Sequence, residues 1–123
     1  MIPTETFTSH TLSLTVSEEP GAVNVVWKGR STSRDPAEFL IPILTRALDR
    51  ASEIRRPLTL DFCGIEYFNS STITPVVRLI EEAKRRGASL VVRYDKKLRW
   101  QELSFSALQV FHTGDERIRI VGV

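Results

Sequence analysis

The sequence predicts an α/β (α+β) fold, a mixed β-sheet with packed helices, in the element order β-β-α-β-α-β-α-β. Segments with an apolar side chain at every second position, the period of a half-buried strand, occur near both ends of the chain. Longer segments with apolar side chains at every third or fourth position lie between them, as in helices that bury one face. Because strands and helices alternate after an initial hairpin, the helices should pack on one or both faces of a mixed sheet.

Length and composition indicate one globular domain that spans residues 1–123. Hydrophobic residues make up 41% of the chain and charged residues 26%, a balance that excludes a disordered or fibrous protein. No apolar run approaches the roughly 18 residues that a membrane-spanning helix needs. The start of the chain has no basic residue before a hydrophobic stretch, so it does not resemble a secretory signal. We therefore expect a soluble, cytoplasmic protein with no membrane partner.

One stretch of the chain, residues 84–99, is strongly basic. It contains seven basic residues and a single acidic one, for a net charge of +6, whereas the whole chain has a net charge of +2. A basic cluster can bind nucleic acid, but no base-stacking motif or recognition helix accompanies this one. We interpret it as the last turn of a helix, whose dipole favours cations, followed by a solvated loop. No nucleic-acid partner is therefore predicted.

The first two predicted strands form an antiparallel hairpin. Residues 10–17 alternate between apolar and polar side chains, and residues 22–28 do the same. Between them lies Glu18-Glu19-Pro20-Gly21, a turn signal in which proline presets its own φ angle and glycine accepts a positive one.

Proline decides where the first helix is expected to begin. Asp35, Pro36 and Glu38 fit a helix start, but Pro42 follows shortly afterwards. A proline inside a helix removes one backbone hydrogen bond and clashes with the carbonyl four residues earlier. We therefore predict a short turn at 35–41 and a main helix that begins near Pro42.

The remaining elements follow from the same two periodicities. They are a strand at 58–62, a helix at 73–86 with Gly87 as its C-terminal cap, a strand at 90–94, a helix at 103–111 and a strand at 117–123. The strand at 58–62 has few polar interruptions, which is typical of a central strand. Right-handed crossovers then place the loop at 63–71 at the carboxyl end of this strand. Ligands and partners of open α/β sheets commonly bind at that edge.

Common catalytic and cofactor motifs are missing from the sequence. It has no Gly-x-Ser-x-Gly elbow, no phosphate-binding Gly-x-x-x-x-Gly-Lys loop, no Gly-x-Gly-x-x-Gly turn and no His-x-x-x-His metal pair. Cys63 is the single cysteine, which excludes an internal disulfide and a four-cysteine zinc site. His10 and His112 are not near any motif. We therefore predict no enzyme activity, no metal and no cofactor.

Hydroxyl-bearing residues cluster between the central strand and the next helix, in the segment 64–75. Pro75 disfavours a helix that begins far upstream, so Ser71 or Thr72 is the expected N-cap. Ser70 would then lie where free backbone N–H groups and the positive end of the helix dipole favour a phosphate. The residues alone leave two interpretations equally open: these hydroxyls accept a phosphate, or they only cap the helix.

The same segment resembles the STAS (sulfate transporter and anti-sigma factor antagonist) domains. Their motif is a strand that ends near an aspartate, an apolar-aromatic stretch and Asp-Ser-Ser/Thr-Gly before an amphipathic helix. Here Leu58–Phe62 is followed by Ile65–Thr72, with Asn69 in place of the second aspartate and Thr72 in place of the glycine. With this asparagine, the segment is similar to the Asn-Thr-Ser-Ser version of the motif in the SiaC-like branch of STAS-like regulators. The resemblance covers residues 58–94 and implies a single STAS-like domain.

The resemblance also implies a function. In that family the serine directly after the aspartate is phosphorylated, which implies Ser70 as the phosphorylation site. Ser71 is the second candidate. The implied partners are a GHKL-type serine kinase, a PP2C-type phosphatase and, in the SiaC-like branch, a diguanylate cyclase. The protein would be an anti-sigma factor antagonist-like regulator in a bacterial partner-switching pathway, and it would bind its target when Ser70 is unphosphorylated. The alternative is a constitutive binding or scaffolding module that is never phosphorylated.

The predicted partner-binding surface surrounds the phosphorylation site and extends along the exposed face of the following helix. A phosphate acts directly only where its charge lies within or near the contact. The predicted residues are Phe68, Asn69, Ser70, Ser71, Thr72, Arg78 and Glu82. We expect a monomer or a weak dimer.

Overall fold

Seven strands and three α-helices are present in the computed structural model, which describes residues 1–123. The strands are β1 (Glu5–Ser9), β2 (Leu12–Glu19), β3 (Ala22–Ser31), β4 (Leu58–Asp61), β5 (Ile65–Phe68), β6 (Leu90–Tyr94) and β7 (Ile118–Gly122). The helices are α1 (Ala37–Glu53), α2 (Ser70–Arg86) and α3 (Arg99–Ser106), which continues as a short 3₁₀ helix over Ala107–Phe111. None of the helices combines the length and the apolar composition needed to span a membrane.

The strands form one sheet in the order β1-β2-β3-β4-β6-β7. Strands β1, β2 and β3 are antiparallel neighbours, whereas β3, β4, β6 and β7 run parallel to one another. Strand β5 lies outside this order and pairs in parallel with the last residues of β3. The predicted mixed sheet is confirmed, and β4 has the central position predicted for the strand at 58–62.

Helices cover one face of the sheet. Helix α1 packs against α2 and also against β3 and β4, and the buried side chains of these strands alternate with more exposed ones. Aromatic rings attach α3 to the same face: the ring centroid of Phe62 lies 4.5 Å from that of Trp27 and 4.8 Å from that of Phe105. Phe105 also stacks on Tyr94, with 5.4 Å between the centroids. The core therefore lies between the helices and this face.

Two strands differ from the predicted order, because the sequence does not predict β1 or β5. Strand β1 contains a single large apolar residue, Phe7, among polar neighbours, and it pairs only with β2, as is typical of an edge strand. Strand β5 is four residues long and lies inside the segment predicted as the loop 63–71. Its pairing with β3 joins distant parts of the chain, so no local pattern indicates it.

Helix α1 begins at Ala37, which makes the predicted start near Pro42 wrong. Pro36 is the N-cap residue, and its carbonyl accepts the N–H of Leu40 over 2.9 Å. Pro42 is the sixth residue of the helix and lacks the N–H that would bond to the carbonyl of Glu38. Both Glu38 and Pro42 are exposed, so water can hydrate this carbonyl and the missing bond costs little.

Helix α3 begins upstream of the predicted start at Leu103. The reason is Gln101, a fully buried polar residue that interrupts the apolar periodicity. Its Nε2 donates to the carbonyls of Phe62 (2.9 Å) and Ile65 (3.1 Å), and its Oε1 accepts the N–H of Asp95 over 2.8 Å. Gln101 therefore fixes the position of α3 through hydrogen bonds that the sequence pattern does not indicate.

Candidate functional site

The segment with the predicted phosphorylation site lies at the carboxyl ends of β3 and β5. Ser31 is opposite Phe68 in the parallel pairing of these strands, and the backbone N–H of Asn69 donates to the carbonyl of Ser31 over 3.0 Å. The next residue, Ser70, begins α2. Backbone hydrogen bonds therefore hold the site at the edge of the sheet where partners commonly bind.

Asn69 is the N-cap of α2, which corrects the prediction of Ser71 or Thr72. Its Oδ1 accepts hydrogen bonds from the backbone N–H of Thr72 (3.2 Å) and from Thr72 Oγ1 (2.8 Å). Its Nδ2 donates to the carbonyl of Ser33 over 2.7 Å. One side chain thus caps the helix and attaches its first turn to the segment that follows β3.

A buried pair of hydroxyl groups lies beneath this cap. Ser31 Oγ and Thr72 Oγ1 are 2.7 Å apart, and the two residues are 2% and 0% exposed. Since the Thr72 hydroxyl proton is donated to Asn69, the Ser31 hydroxyl is the donor to Thr72. Sequence reasoning missed Ser31, because nothing in the sequence pairs it with a residue so far along the chain.

Ser70 and Ser71 are the hydroxyl residues that this network does not use. Both are exposed on the first turn of α2, and neither side chain hydrogen-bonds to another group of the protein, in contrast to Asn69 and Thr72. The first turn contains no acidic residue, and its leading N–H groups have no intrahelical partners. A phosphate on Ser70 would therefore meet free N–H groups and no carboxylate on the same turn.

Two of the predicted partner-binding residues are buried. Phe68 is 9% exposed, and its ring centroid lies 5.4 Å from that of Trp100 and 5.5 Å from that of Phe105. Thr72 is 0% exposed. Their side chains pack beneath the first turn of α2. Asn69, in contrast, is partly exposed.

Arg78 and Glu82 lie further along α2 and differ in their surroundings. Glu82 accepts hydrogen bonds from Arg85 and, over 2.9 Å, from Arg86. These two guanidinium groups lower the pKa of Glu82 to about 2, so it stays ionised at neutral pH. Arg78 is exposed, and no ion pair involves it, unlike Arg86, which also pairs with Asp49 over 2.7 Å. Of the two predicted residues, Arg78 is the one with an uncompensated charge.

Cys63 lies two residues after the last residue of the central strand β4. Burial, together with the neighbouring Asp61, raises the pKa of the Cys63 thiol to about 11. The thiol is therefore protonated near neutral pH and is a poor nucleophile. No group of three or more His, Cys, Asp or Glu side chains is arranged to hold a metal ion.

Replacing Asn69 with alanine is expected to lower the free energy of unfolding by about 1–2 kcal/mol, because the helix cap and the bond to Ser33 are both lost. Ser71→Ala is the matched control on the same turn, and we expect it to change stability by less than about 0.5 kcal/mol. Urea denaturation of the two variants checks this result. Equal losses in both variants would show that Ser71, and not Asn69 alone, stabilises the start of α2.

Comparison of the sequence with protein families and with curated proteins finds no match. Solved structures, however, share the fold. The crystal structure of an anti-sigma factor antagonist from Mycobacterium paratuberculosis is similar, with a TM-score of 0.63 and 13% sequence identity, over 89% of this chain and 93% of the antagonist. SiaC of Pseudomonas aeruginosa is similar with a TM-score of 0.60 and 19% identity, over 86% of this chain and 91% of SiaC. These similarities extend well beyond the motif segment 58–94, and the chain therefore has the STAS-like fold.

Proposed function

We propose that the protein is a phosphorylation-switched regulator of the anti-sigma factor antagonist type, without enzyme activity, that acts by binding other proteins. It binds its target when Ser70 is unphosphorylated and releases it when Ser70 is phosphorylated. The observation that carries the proposal is that Asn69 and Thr72 form the helix cap, whereas Ser70 is exposed and unused. The fold supports the same proposal, since an anti-sigma factor antagonist shares it.

We expect the folded domain to tolerate a phosphate on Ser70. The complex with the proposed target is not expected to tolerate it. A phosphoserine adds about −1.5 to −2 charges at neutral pH. At the start of α2 the free N–H groups and the helix dipole stabilise this charge. A partner that packs over Ser70 would instead have to desolvate it, which is unfavourable against an apolar or acidic surface. Phosphorylation therefore changes the complex and leaves the domain folded.

The proposed contact surface follows the outward face of α2. Ser70, Thr74 and Arg78 occupy successive i, i+4 positions and are all exposed. Ser70 and Arg78 are separated by about 12 Å along the helix axis, so Arg78 is too far away to neutralise the phosphate. A partner that covers about 800 Å² of this protein can contact both residues. Asn69 and Ser71 lie inside the same surface, and the paired Glu82 lies at its far end.

The proposed partners are proteins of a bacterial signalling pathway in the cytoplasm. A GHKL-type serine kinase would phosphorylate Ser70 and a PP2C-type phosphatase would remove the phosphate. The target is a component of a sigma-factor pathway or a diguanylate cyclase. The motif resemblance to the SiaC-like branch implies the second kind of target, and SiaC of Pseudomonas aeruginosa shares the fold. The protein itself is proposed to be a monomer or a weak dimer.

An in vitro phosphorylation assay of the protein with the GHKL-type kinases of its native organism tests this proposal. The purified protein is incubated with each kinase and ATP, and the phosphorylated peptide is mapped by mass spectrometry. We expect phosphate on Ser70 in the wild type and in Ser71→Ala, and none in Ser70→Ala. Phosphate on Ser71 alone would move the switch to that residue. Phosphate on neither serine with any of these kinases would contradict the switch and favour the constitutive binding module.

A further inference from the structure

The outer side of α3 and of the 3₁₀ helix carries apolar residues that no other part of the chain covers. Arg99, Leu103, Ala107 and Val110 follow one another at helical spacing and are all exposed; we name these four residues the α3 ridge. Leu103 is 65% exposed and Val110 is 79% exposed. Water disfavours large aliphatic side chains at such exposure, and adjacent exposed apolar residues with a polar rim are typical of interaction sites.

Basic residues without acidic partners lie at the N-terminal end of the α3 ridge. Lys96 and Lys97 precede α3, and Arg99 is its first residue. No carboxylate oxygen lies within the 4.0 Å ion-pair distance of their side-chain nitrogens, in contrast to Arg50, whose guanidinium is 2.7 Å from Glu18. One end of the ridge is therefore positively charged and its other end is apolar.

Three residues at the start of α3 do not favour the helix, although Glu102 in its first turn does. Leu98 is the N-cap and makes no side-chain hydrogen bond there, although serine, threonine, aspartate or asparagine would stabilise the helix. Lys97 and Arg99 place positive charges at the positive end of the helix dipole, which is unfavourable. Local choices that oppose the fold are expected where a surface has a function.

We propose that the α3 ridge is a docking surface for an acidic segment of a partner protein that presents apolar side chains, such as an amphipathic helix. Its apolar side chains would pack on Leu103 and Val110, and its carboxylates would pair with Lys96, Lys97 and Arg99. Charge complementarity identifies the occupant, because the three cations have no partners within the chain. This docking goes beyond the proposed function, because it uses the α3 ridge instead of the surface around Ser70 and does not depend on whether Ser70 is phosphorylated.

Two other occupants match the ridge less well. In a symmetric contact with a second copy, the cations of both copies would stay unpaired, because each ridge would bring only basic and apolar groups. Binding to a membrane surface depends on the apolar area that is inserted, and this ridge offers only two large aliphatic side chains. A protein segment of opposite charge satisfies both features of the ridge at once.

Selection of random peptides displayed on phage tests the proposal. The wild-type protein is the bait, and folded Leu103→Asp protein is used for counter-selection. Recovered peptides are synthesised and their Kd values measured by fluorescence anisotropy against wild type, Leu103→Asp and Lys97→Glu. Ser52→Asp, which adds the same charge on the exposed side of α1, is the matched control.

We expect the recovered peptides to carry net negative charge and apolar residues at helical spacing. Leu103→Asp and Lys97→Glu should each weaken binding about tenfold, and added salt should weaken it further. Ser52→Asp should bind as the wild type does. Neutral or basic peptides, or acidic ones insensitive to Leu103→Asp, would overturn the proposal. The proposal would also be overturned if the selection recovered no acidic peptides and the protein bound phosphatidylserine vesicles through Leu103. Formation of a Leu103-dependent dimer in sedimentation, again without acidic peptides, would overturn it as well.

Discussion

Replacing Ser70 with aspartate is expected to weaken binding of the target protein about tenfold or more, with an almost unchanged melting temperature. The carboxylate lies on the first turn of α2, which contains no other acidic residue, and the helix dipole stabilises it there. In the complex the same charge would have to be desolvated at the contact surface. The expected loss therefore concerns the complex and not the fold.

Purified proteins are needed to measure this effect. Tagged wild-type protein first recovers the target from the native organism, and mass spectrometry identifies it. The Kd of the target is then measured for wild type, Ser70→Asp and Ser70→Ala, with thermal denaturation of each variant. We expect Ser70→Ala to bind the target as the unmodified protein does. Ser52→Asp on α1 is the matched charge control. Equal Kd values for Ser70→Asp and wild type would contradict the role of Ser70.

Replacing Gly29 with alanine is expected to cause a large loss of stability, about 2–5 kcal/mol. Gly29 has a φ angle of +89°, a conformation that residues with a side chain rarely adopt. A Cβ atom at this position would lie 1.9 Å from the carbonyl oxygen of Thr11, which is far inside van der Waals contact. Thr11 belongs to the turn between β1 and β2, so the strain would displace this turn.

The same glycine lies where β3 changes its pairing. The register between β3 and β5 shifts between Gly29 and Arg30, and the N–H of Arg30 donates to the carbonyl of Thr11 over 3.1 Å. Loss of this geometry would weaken both the hairpin and the strand pairing that positions Ser70.

Thermal and urea denaturation measure the effect of Gly29→Ala. A loss of this size should lower the melting temperature by roughly 10 °C or more. Gly21→Ala is the matched control, because a Cβ at Gly21 would meet no atom within 4 Å. We expect this control to be neutral or slightly stabilising, since alanine restricts the unfolded chain. Similar melting temperatures for the two variants would show that the region around Thr11 rearranges without cost.

Local patterns predicted much of the fold, because they depend on neighbouring residues. The turn at 18–21 and the alternation of residues 10–17 predicted the β2–β3 hairpin, which the register of these strands confirms. Gly87, predicted as the cap of the second helix, has a φ angle of +68° and ends α2. The position of the candidate site between a central strand and a helix was predicted from the same kind of pattern.

The starts of α1 and α2 that were predicted from their prolines are both wrong, for the same physical reason. Pro42 and Pro75 are each the sixth residue of their helices, α1 and α2. A proline there removes a single hydrogen bond to the second residue of the helix, Glu38 or Ser71. Both of these residues are exposed, so water can satisfy their carbonyls. The sequence contains the prolines but does not indicate whether the freed carbonyl would be buried.

The sequence by itself determined the type and order of eight elements, from β2 to β7 without β5, since these depend on periodicity and turn residues over short distances. Only the tertiary structure decided which hydroxyl groups are structural. Thr72 is buried because Ser31, at the end of β3, approaches it to within 2.7 Å, and Asn69 is the cap because Ser33 holds its amide. Ser70 and Ser71 are left free as a result. Contacts between residues this distant in the chain depend on strand pairing and burial, which only the folded chain establishes.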